Sequence, residues 1–431
     1  MWSFETDADY QADLDWVDQF VLDEVEPLEF VIDNPLDHSD PVREALIPPL
    51  QQQVKDRGLW ATHLGPDLGG KGHGQVKLAL LNEILGRSGF APVIFGCQAP
   101  DSGNAEILAH YGTPEHKERF LQPLLDGQIS SCFSMTEPQG GSDPQVFTTS
   151  AVLDGDEWVI NGEKWFSSGA KYASFFIVMA VTEPDNPTYQ RQSMLIVPAG
   201  TPGLTVVREP HVFGTHSEKS SGHSYLRYED VRVPKENLLG GRGEAFVVAQ
   251  VRLGGGRIHH AMRTIGLARR ALDLMLERAV SRTTQGEKLS RKQLVQEMIA
   301  ESWIELESFR LLVLQTAWKI DKYHDYKRVR GEISAVKAAM PGVLNRIASR
   351  ALQVHGSLGI TDEMPFGSMI MNSFSMALGD GPTEVHLTTL ARQLLSRATP
   401  TDGMFPTMHR PALAAAAREK YADVLAAHGR A

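Results

Sequence analysis

The chain contains very little cysteine. Its 431 residues include only Cys97 and Cys132, which lie far apart and form no C-x-x-C motif. This scarcity argues against a disulfide framework and against a cysteine-ligated zinc site. We predict that both cysteines are packed, unmodified thiols.

Basic charge and long apolar runs are also scarce. Lys and Arg total 42 against 53 Asp and Glu, a net charge of -11. Nucleic acids and anionic membranes are bound by clustered Lys and Arg, so we expect neither as a partner. No apolar run approaches the roughly 18 residues that span a bilayer. The stretch from Met1 to Leu14 is acidic, unlike a signal or transit peptide. We therefore predict a cytoplasmic protein that works on small molecules.

A standard metal-binding pattern is absent. His211, His216 and His223 lie close to Glu218, but their spacing matches no common metal site. A polar loop that faces the substrate explains these residues better, and we predict no metal.

Hydrophobic periodicity divides the chain into three regions. Apolar residues recur at helical spacing near the N-terminus, alternate with period two in the middle, and return to long helical stripes beyond Gly243. This order predicts an α+β fold. We expect an all-helical domain (1–129), a β-barrel domain of antiparallel strands (130–240), a four-helix bundle (241–400) and a tail (401–431).

Glycine and proline mark expected interruptions within these regions. Asp154-Gly155 and Asn161-Gly162 are typical hairpin turns. Pro341-Gly342 falls inside the last helical stripe, where it predicts a kink or a break.

The stretch Phe133-Ser-Met-Thr-Glu-Pro-Gln-Gly-Gly-Ser-Asp143 has the pattern of a strand that ends in a glycine-rich turn. Such a strand end can hold a flat, hydrogen-bonding ring system, because glycine allows a ligand to approach the backbone. An ordinary hairpin with a Gly-Gly turn explains the same residues.

Further motifs accompany this stretch. Together, Met135–Asp143, Gly162–Ala170, Gln353–Gly359 and Gly379–Glu384 resemble the signatures of the acyl-CoA dehydrogenase family, over a match from about 50 to 392. The sequences Trp-Phe-Ser-Ser-Gly-Ala and Asp-Gly-Pro-Thr-Glu-Val-His are most similar to those of the subgroup that animals also carry fused to a kinase-like domain. The resemblance implies a helix, β, helix domain order, FAD as cofactor and an acyl-CoA substrate.

The resemblance assigns the catalytic base to Asp380, where most of the family has Glu. Aspartate is one methylene shorter, and a displacement of about 1 Å can cost about 100-fold in rate. Without the resemblance, Asp380 reads as a turn residue before Gly381-Pro382. Substrate contacts are implied for Ser142, Arg257 and Gly381, although Arg257, like His259 and Arg263, could equally lie on an exposed helix face.

The resemblance also implies a set of FAD contacts. They are Phe133, Met135, Thr136, Gly141, Ser142, Phe166, Ser167, Ser168, Arg282, Gln353, Gly356, Pro382, Thr383 and Glu384. Arg282 and Gln353 would reach the FAD of a neighbouring subunit, so a homo-oligomer is expected, either a dimer or a tetramer. Phe166, Gln285 and Ser357 depart from the usual residues at their positions.

The leading hypothesis is an acyl-CoA dehydrogenase of fatty acid metabolism that acts in β-oxidation and passes electrons to an electron-transfer flavoprotein. An oxidase or monooxygenase on the same fold is a second hypothesis, and a non-catalytic flavoprotein assembly partner is a third. Oxygen consumption separates the second from the first. Failure of any acyl-CoA to bleach the flavin would favour the third.

Overall fold

The computed structural model describes residues 5–66, 72–214, 222–401 and 403–430. The N-terminal region is helical, as predicted. Its helices are α1 (Ala8–Phe20), α2 (Pro41–Arg57), α3 (Gly74–Leu85), α4 (Ala91–Ile94), α5 (Asp101–Tyr111), α6 (Pro114–His116) and α7 (Gln122–Leu125). Asp7 and Asp40 accept hydrogen bonds from the first turns of α1 and α2, which explains where these helices begin.

The middle region forms one eight-stranded sheet. Its strands are β1 (Ser131–Ser134), β2 (Ser150–Asp154), β3 (Glu157–Ser168), β4 (Phe175–Val181), β5 (Gln192–Pro198), β6 (Leu204–Arg208), β7 (His223–Pro234) and β8 (Leu238–Leu239). The order is β6-β7-β3-β2-β4-β5-β8, and β1 pairs with β4. The prediction of antiparallel strands is wrong for the β1–β4 and β2–β4 pairs, which are parallel. The chain forms the β2–β3 hairpin between β1 and β4, and β4 then runs in the same direction as β1 and β2.

One predicted turn is a turn and the other is not. Asp154-Gly155 joins β2 to β3, and Gly155 has a φ of 64°. Asn161-Gly162 lies inside β3, where the pairing with β7 shifts register. A Cβ built at Gly162 would lie 2.5 Å from Thr149 Oγ1, so this glycine allows β3 to approach the residue that directly precedes β2.

The C-terminal region is a helix bundle. It contains α8 (Ala245–Ser281), α9 (Gln293–Tyr323), α10 (Arg330–His355), α11 (Phe366–Leu378) and α12 (Thr383–Leu395), with a small hairpin of β9 (Thr283–Thr284) and β10 (Glu287–Lys288). The predicted break at Pro341 does not occur, and α10 continues through this residue. Pro341 is buried among packed helices, and that packing outweighs the backbone hydrogen bond that proline removes.

The tail contributes α13 (Arg410–Lys420) and α14 (Ala422–Ala427), and every residue of α13 is exposed. Throughout the described ranges, the helices are either too short or too polar to cross a membrane.

Close backbone contact joins the N-terminal helices to the bundle. A Cβ built at Gly266 of α8 would lie 1.9 Å from the carbonyl oxygen of Glu83 in α3. Arg263 donates hydrogen bonds to Asn82 Oδ1 at 2.8 Å and to the carbonyl oxygen of Cys97 at 2.5 Å. The position of α8 is therefore fixed against the N-terminal region.

Candidate active site

A buried ion pair fastens the glycine-rich turn to β3. Lys164 Nζ lies 2.9 Å from Glu137 Oε1, and both side chains are at most 1% exposed. Lys164 also donates to the carbonyl oxygen of Met135 at 2.7 Å, and Glu137 accepts from the backbone N–H groups of Thr148 and Thr149. Burial lowers the pKa of Lys164 to about 8, although the Glu137 carboxylate acts in the opposite direction. The pair holds two of the sequence motifs side by side.

The predicted flavin residues of β1 and β3 meet at one end of the sheet. The backbone N–H of Trp165 donates to the carbonyl oxygen of Thr136 at 2.9 Å. Phe166 follows with a φ of 54°, and its side chain is 46% exposed. Its ring stacks on His223 at 5.0 Å, while Ser168 Oγ lies 2.8 Å from His223 Nδ1. An aromatic ring and a hydroxyl group are thus presented together.

The glycine turn leaves room for a ligand beside this surface. Gly141 and Ser142 are exposed, and apart from Gly141 and its two chain neighbours no atom of the described residues lies within 4 Å of a Cβ built at Gly141. By contrast, Ser167 is buried, and its hydroxyl oxygen lies 3.2 Å from Ser134 Oγ. A flat ring system fits against the backbone of the turn and the strand ends, whereas Ser167 could contact it only through its backbone.

Helix α8 connects β1, called the flavin strand below because it carries the predicted flavin contact Phe133, to the predicted base Asp380. The guanidinium of Arg252 lies 3.9 Å from the ring centroid of Phe133, and its Nε donates to Asn104 Oδ1 at 2.9 Å. Further along α8, Arg257 Nε donates to the carbonyl oxygen of Asp380 at 3.0 Å. One short stretch of a single helix therefore contacts both halves of the site.

The loop between α11 and α12, called the Asp380 loop, has two residues with left-handed backbone angles. Asp380 has a φ of 55° and Gly381 a φ of 102°. The carbonyl oxygen of Asp380 accepts from Arg257 and lies 3.3 Å from His386 Nε2. A Cβ built at Gly381 would lie 3.0 Å from the same His386 nitrogen, so only glycine fits there without displacement. Burial lowers the pKa of His386 to about 4, so the ring is neutral at pH 7.

The Asp380 carboxylate lies between α8 and α10. Its Oδ2 is 3.5 Å from His260 Nε2. Lys337 of α10 is 1% exposed, and its Nζ donates to the carbonyl oxygen of Met376 at 2.5 Å. Burial lowers the pKa of Lys337 to about 8, and the negative charge of Asp380 opposes that change. The carboxylate therefore lies beside a histidine and interacts electrostatically with a buried lysine.

Family profiles and relatives agree with this geometry. Profiles described as the N-terminal, middle and C-terminal domains of acyl-CoA dehydrogenase match residues 7–128, 132–231 and 243–395. The protein named probable acyl-CoA dehydrogenase FadE2 from Mycobacterium tuberculosis is 43% identical over 371 residues, which cover 85% of this chain and 89% of that protein. This chain belongs to the acyl-CoA dehydrogenase family.

Other relatives support the predicted subgroup and fold. Acyl-CoA dehydrogenase family member 11 from Gallus gallus is 41% identical, over 80% of this chain but only 44% of that protein. The butyryl-CoA dehydrogenase of Megasphaera elsdenii has a TM-score of 0.77 at 26% identity, over 91% of this chain and 100% of that one. A glutaryl-CoA dehydrogenase of Mycobacterium smegmatis in complex with FADH2 has a TM-score of 0.76 at 25% identity, over 92% and 97%. The predicted helix, β, helix fold of this oxidoreductase family is confirmed.

Some residues of this acyl-CoA dehydrogenase site were missed by sequence reasoning. They are Glu106, Arg252, His260, Lys337 and His386. Positions 252, 256 and 260 of α8 lie four residues apart on one helix face, a pattern that was available in the sequence. His259 and Arg263 occupy no exposed helix face: His259 is buried, and Arg263 contacts the N-terminal helices.

Glu106 lies beside the same stretch of α8. Its Oε2 would be 3.3 Å from a Cβ built at Gly255. Burial raises the pKa of Glu106 to about 7, although Arg252 acts in the opposite direction. Beside Asp380, the site therefore contains a carboxyl group, that of Glu106, whose pKa is raised by burial.

The structure does not bring every predicted contact to the base of the same chain. Arg282, Gln353 and Gly356 are exposed at the ends of α8 and α10. Arg282 follows Arg257 by 25 residues, which corresponds to about 37 Å along an α-helix. Arg282 therefore lies far from Asp380 of the same chain, and the FAD contacts of all three residues stay predictions.

The residues after the base open α12. Pro382 is its N-cap, Thr383 Oγ1 donates to the carbonyl oxygen of Ala377 at 3.3 Å, and Glu384 is exposed in the first turn. Their proposed contacts with FAD stay predictions.

The candidate metal cluster is only partly described. His216 and Glu218 lie outside the described residues, and His223 contacts Ser168 and Phe166. Elsewhere in the described ranges, no three His, Cys, Asp or Glu residues are grouped so that they could hold a metal ion. Cys97 and Cys132 are buried free thiols, as predicted.

Proposed function

We propose that this protein catalyses the FAD-dependent α,β-dehydrogenation of an acyl-CoA thioester, with Asp380 as the base. The observation that carries the proposal is the double contact of α8, which joins Phe133 of the flavin strand through Arg252 and the Asp380 loop through Arg257. A carboxylate and a surface suited to a flat ring are thereby held beside one helix.

The reaction divides between the base and the cofactor. The α C–H bond breaks, its proton moves to a carboxylate oxygen of Asp380, and its electron pair forms the Cα=Cβ bond as the β hydrogen leaves with two electrons. FAD, when bound, supplies the acceptor for that hydride, which no protein side chain can accept. The family resemblance implies that the backbone N–H of Asp380 donates to the thioester oxygen, and the left-handed φ of this residue sets the direction of that N–H.

The proposed FAD site is completed by a second subunit. The strand ends at Met135–Thr136 and Phe166–Ser168 would hold the flavin ring. Arg282 and Gln353 would contact the FAD of a neighbouring subunit, since they lie far along the helices from Asp380. A homo-oligomer, either a dimer or a tetramer, follows from this arrangement.

The resemblance supports the remaining assignments. A cytoplasmic enzyme of fatty acid β-oxidation would pass its electrons to an electron-transfer flavoprotein. The chain spans less than half of the chicken relative, so that protein's full activity is not transferred to it.

Anaerobic flavin bleaching tests the proposal directly. The purified protein should be yellow, and one of butyryl-, octanoyl- or palmitoyl-CoA should bleach it. Asp380→Asn should retain FAD and bind the same acyl-CoA, but reduce flavin at least about 100-fold more slowly, because an amide cannot take the proton.

The matched control is Asp362→Asn, which changes an exposed aspartate in the loop before α11. It should reduce flavin at the wild-type rate. Unchanged reduction in Asp380→Asn, with substrate bound, would remove Asp380 as the base and direct attention to Glu384. Rapid oxygen uptake during turnover would favour an oxidase.

A further inference from the structure

The aspartate at position 380 poses a geometric problem, because it is one methylene shorter than the glutamate usual in the family. Its carboxylate lies against α8, where Oδ2 is 3.5 Å from His260 Nε2. A Cβ built at Gly256, one turn earlier on α8, would lie 3.2 Å from the same Oδ2. Gly256 and His260 therefore bound the space into which this short side chain points.

We propose that Gly256 and His260 form a carboxylate pocket that positions Asp380 for proton abstraction, with His260 as its hydrogen-bond donor. The proposal rests on the proposed role of Asp380 as base. Gly256 supplies room, since any side chain there would meet the carboxylate. His260 would be a positioning residue, because it acts through Asp380 and not on the substrate.

The surroundings of His260 favour a neutral donor over a second cation. Burial lowers the pKa of His260 to about 4, although Asp380 acts in the opposite direction. Arg252 and Arg263 on α8 and Lys337 on α10 add positive charge around the ring. A neutral imidazole can donate one N–H to Oδ2 without adding to that charge.

The separation of 3.5 Å is longer than an ordinary N–H···O hydrogen bond. Catalytic hydrogen bonds are often long before substrate binds and shorten in the complex. In the proposed complex, the shortened contact would restrain the carboxylate on the side of α8. We infer that the contacts with Gly256 and His260 compensate for the shorter side chain of aspartate.

His260→Leu tests the donor, His260→Gln tests its conservative replacement, and His110→Gln on the exposed surface of α5 is the matched control. FAD content and melting temperature report folding for each variant. Stopped-flow reduction by butyryl-CoA, or by octanoyl-CoA if that is the faster substrate, gives the limiting rate and the apparent Kd.

His260→Leu should lower the limiting rate about 10-fold to 100-fold with little change in the apparent Kd, as expected for a displaced reacting group. His260→Gln should recover most of that loss, and His110→Gln should match the wild type. A wild-type limiting rate in His260→Leu would overturn the proposal. An increase in the apparent Kd as large as the decrease in the limiting rate would overturn it as well.

A double substitution tests the pocket without removing the base. Asp380→Glu should lose rate, because the longer side chain would collide with His260. Adding His260→Ala should raise the rate of Asp380→Glu, whereas His260→Ala alone should lower the rate of the wild type. Additive losses would refute the pocket.

The Asp380→Asn result keeps the two proposals apart. If Asp380→Asn abolishes reduction while the His260 variants behave like the wild type, only the pocket is wrong. If Asp380→Asn reduces flavin normally, the proposed role of the base itself fails.

Discussion

Replacing Lys164 with Met should leave the carboxylate of Glu137 buried without its cation. Both side chains are at most 1% exposed, so water cannot replace the missing partner. Thr148 and Thr149 still donate their backbone N–H groups to Glu137 and offset part of the loss. Removal of one member of a buried ion pair typically costs about 3–5 kcal/mol, so we expect a loss of that order in the free energy of unfolding at pH 7.

The loss should depend on pH with a definite sign. Without Lys164, burial should raise the folded-state pKa of Glu137 above its unfolded value. Between these two pKa values, the folded variant holds a proton on Glu137 that the unfolded chain has released. The stability of the variant therefore falls as the pH rises from the unfolded-state pKa to the folded-state pKa. The difference in the free energy of unfolding between Lys164→Met and the wild type should therefore become smaller as the pH is lowered. The variant should also lose FAD, because Lys164 holds the carbonyl oxygen of Met135 at the flavin strand.

Urea unfolding monitored by tryptophan fluorescence measures the change, and the flavin absorbance of the purified protein gives FAD content. The matched control is Arg232→Met, which breaks exposed ion pairs with Asp154 and Glu157 and should change the free energy of unfolding far less, because water and salt screen exposed charges. The double variant Lys164→Met with Glu137→Gln should be more stable than Lys164→Met alone. Equal stability losses in Lys164→Met and Arg232→Met would refute the reasoning.

Three further results are expected. Arg282→Ala should lose FAD and weaken subunit assembly together, as measured by absorbance and light scattering, and a monomer that keeps tightly bound FAD would contradict this. Gly266→Ala should lower the melting temperature, because its Cβ would overlap a carbonyl oxygen of α3, whereas Gly367→Ala, with no described atom within 4 Å of its Cβ, should not. Burial lowers the pKa of both His63 and His260 to about 4, whereas histidines of the unfolded chain take up protons near pH 6.5. The free energy of unfolding should therefore fall between pH 6.5 and pH 4, by up to about 1.4 kcal/mol per pH unit for each histidine. Melting temperatures that do not change over this pH range would contradict the expectation.

The sequence predicted much of the fold because the relevant signals are local. Helical stripes and alternating strands are visible within short windows, and the family motifs mark the strand ends and the Asp380 loop. The errors arose where distant contacts decide the outcome. Asn161-Gly162 looks like a hairpin turn, yet the approach of Thr149 makes it part of a long strand. Pro341 looks like a helix breaker, yet the packed bundle keeps α10 continuous.

The site shows the same division between local and distant information. Asp380 and Gly381 are recognisable as a motif, and the structure adds the left-handed backbone that the glycine permits. Lys337 could not be connected to Asp380 from sequence, because the two residues are 43 positions apart and only the packing of α10 near α11 brings the charge close. His260 could have been suspected from its spacing with Gly256, but the periodicity gives no distance to the base.

The separation between flavin strand and base depends on one rigid element. Arg252 and Arg257 are five residues apart on α8, so their positions along the helix differ by about 7.5 Å. Arg252 packs on Phe133 from the β domain, and Arg257 holds the Asp380 loop from the bundle. Because a helix transmits a shift along its axis without compressing, a movement of α8 displaces both contacts together. The close packing of Gly266 against α3 fixes that axis, so the N-terminal helices help to set the separation between Phe133 and the Asp380 loop.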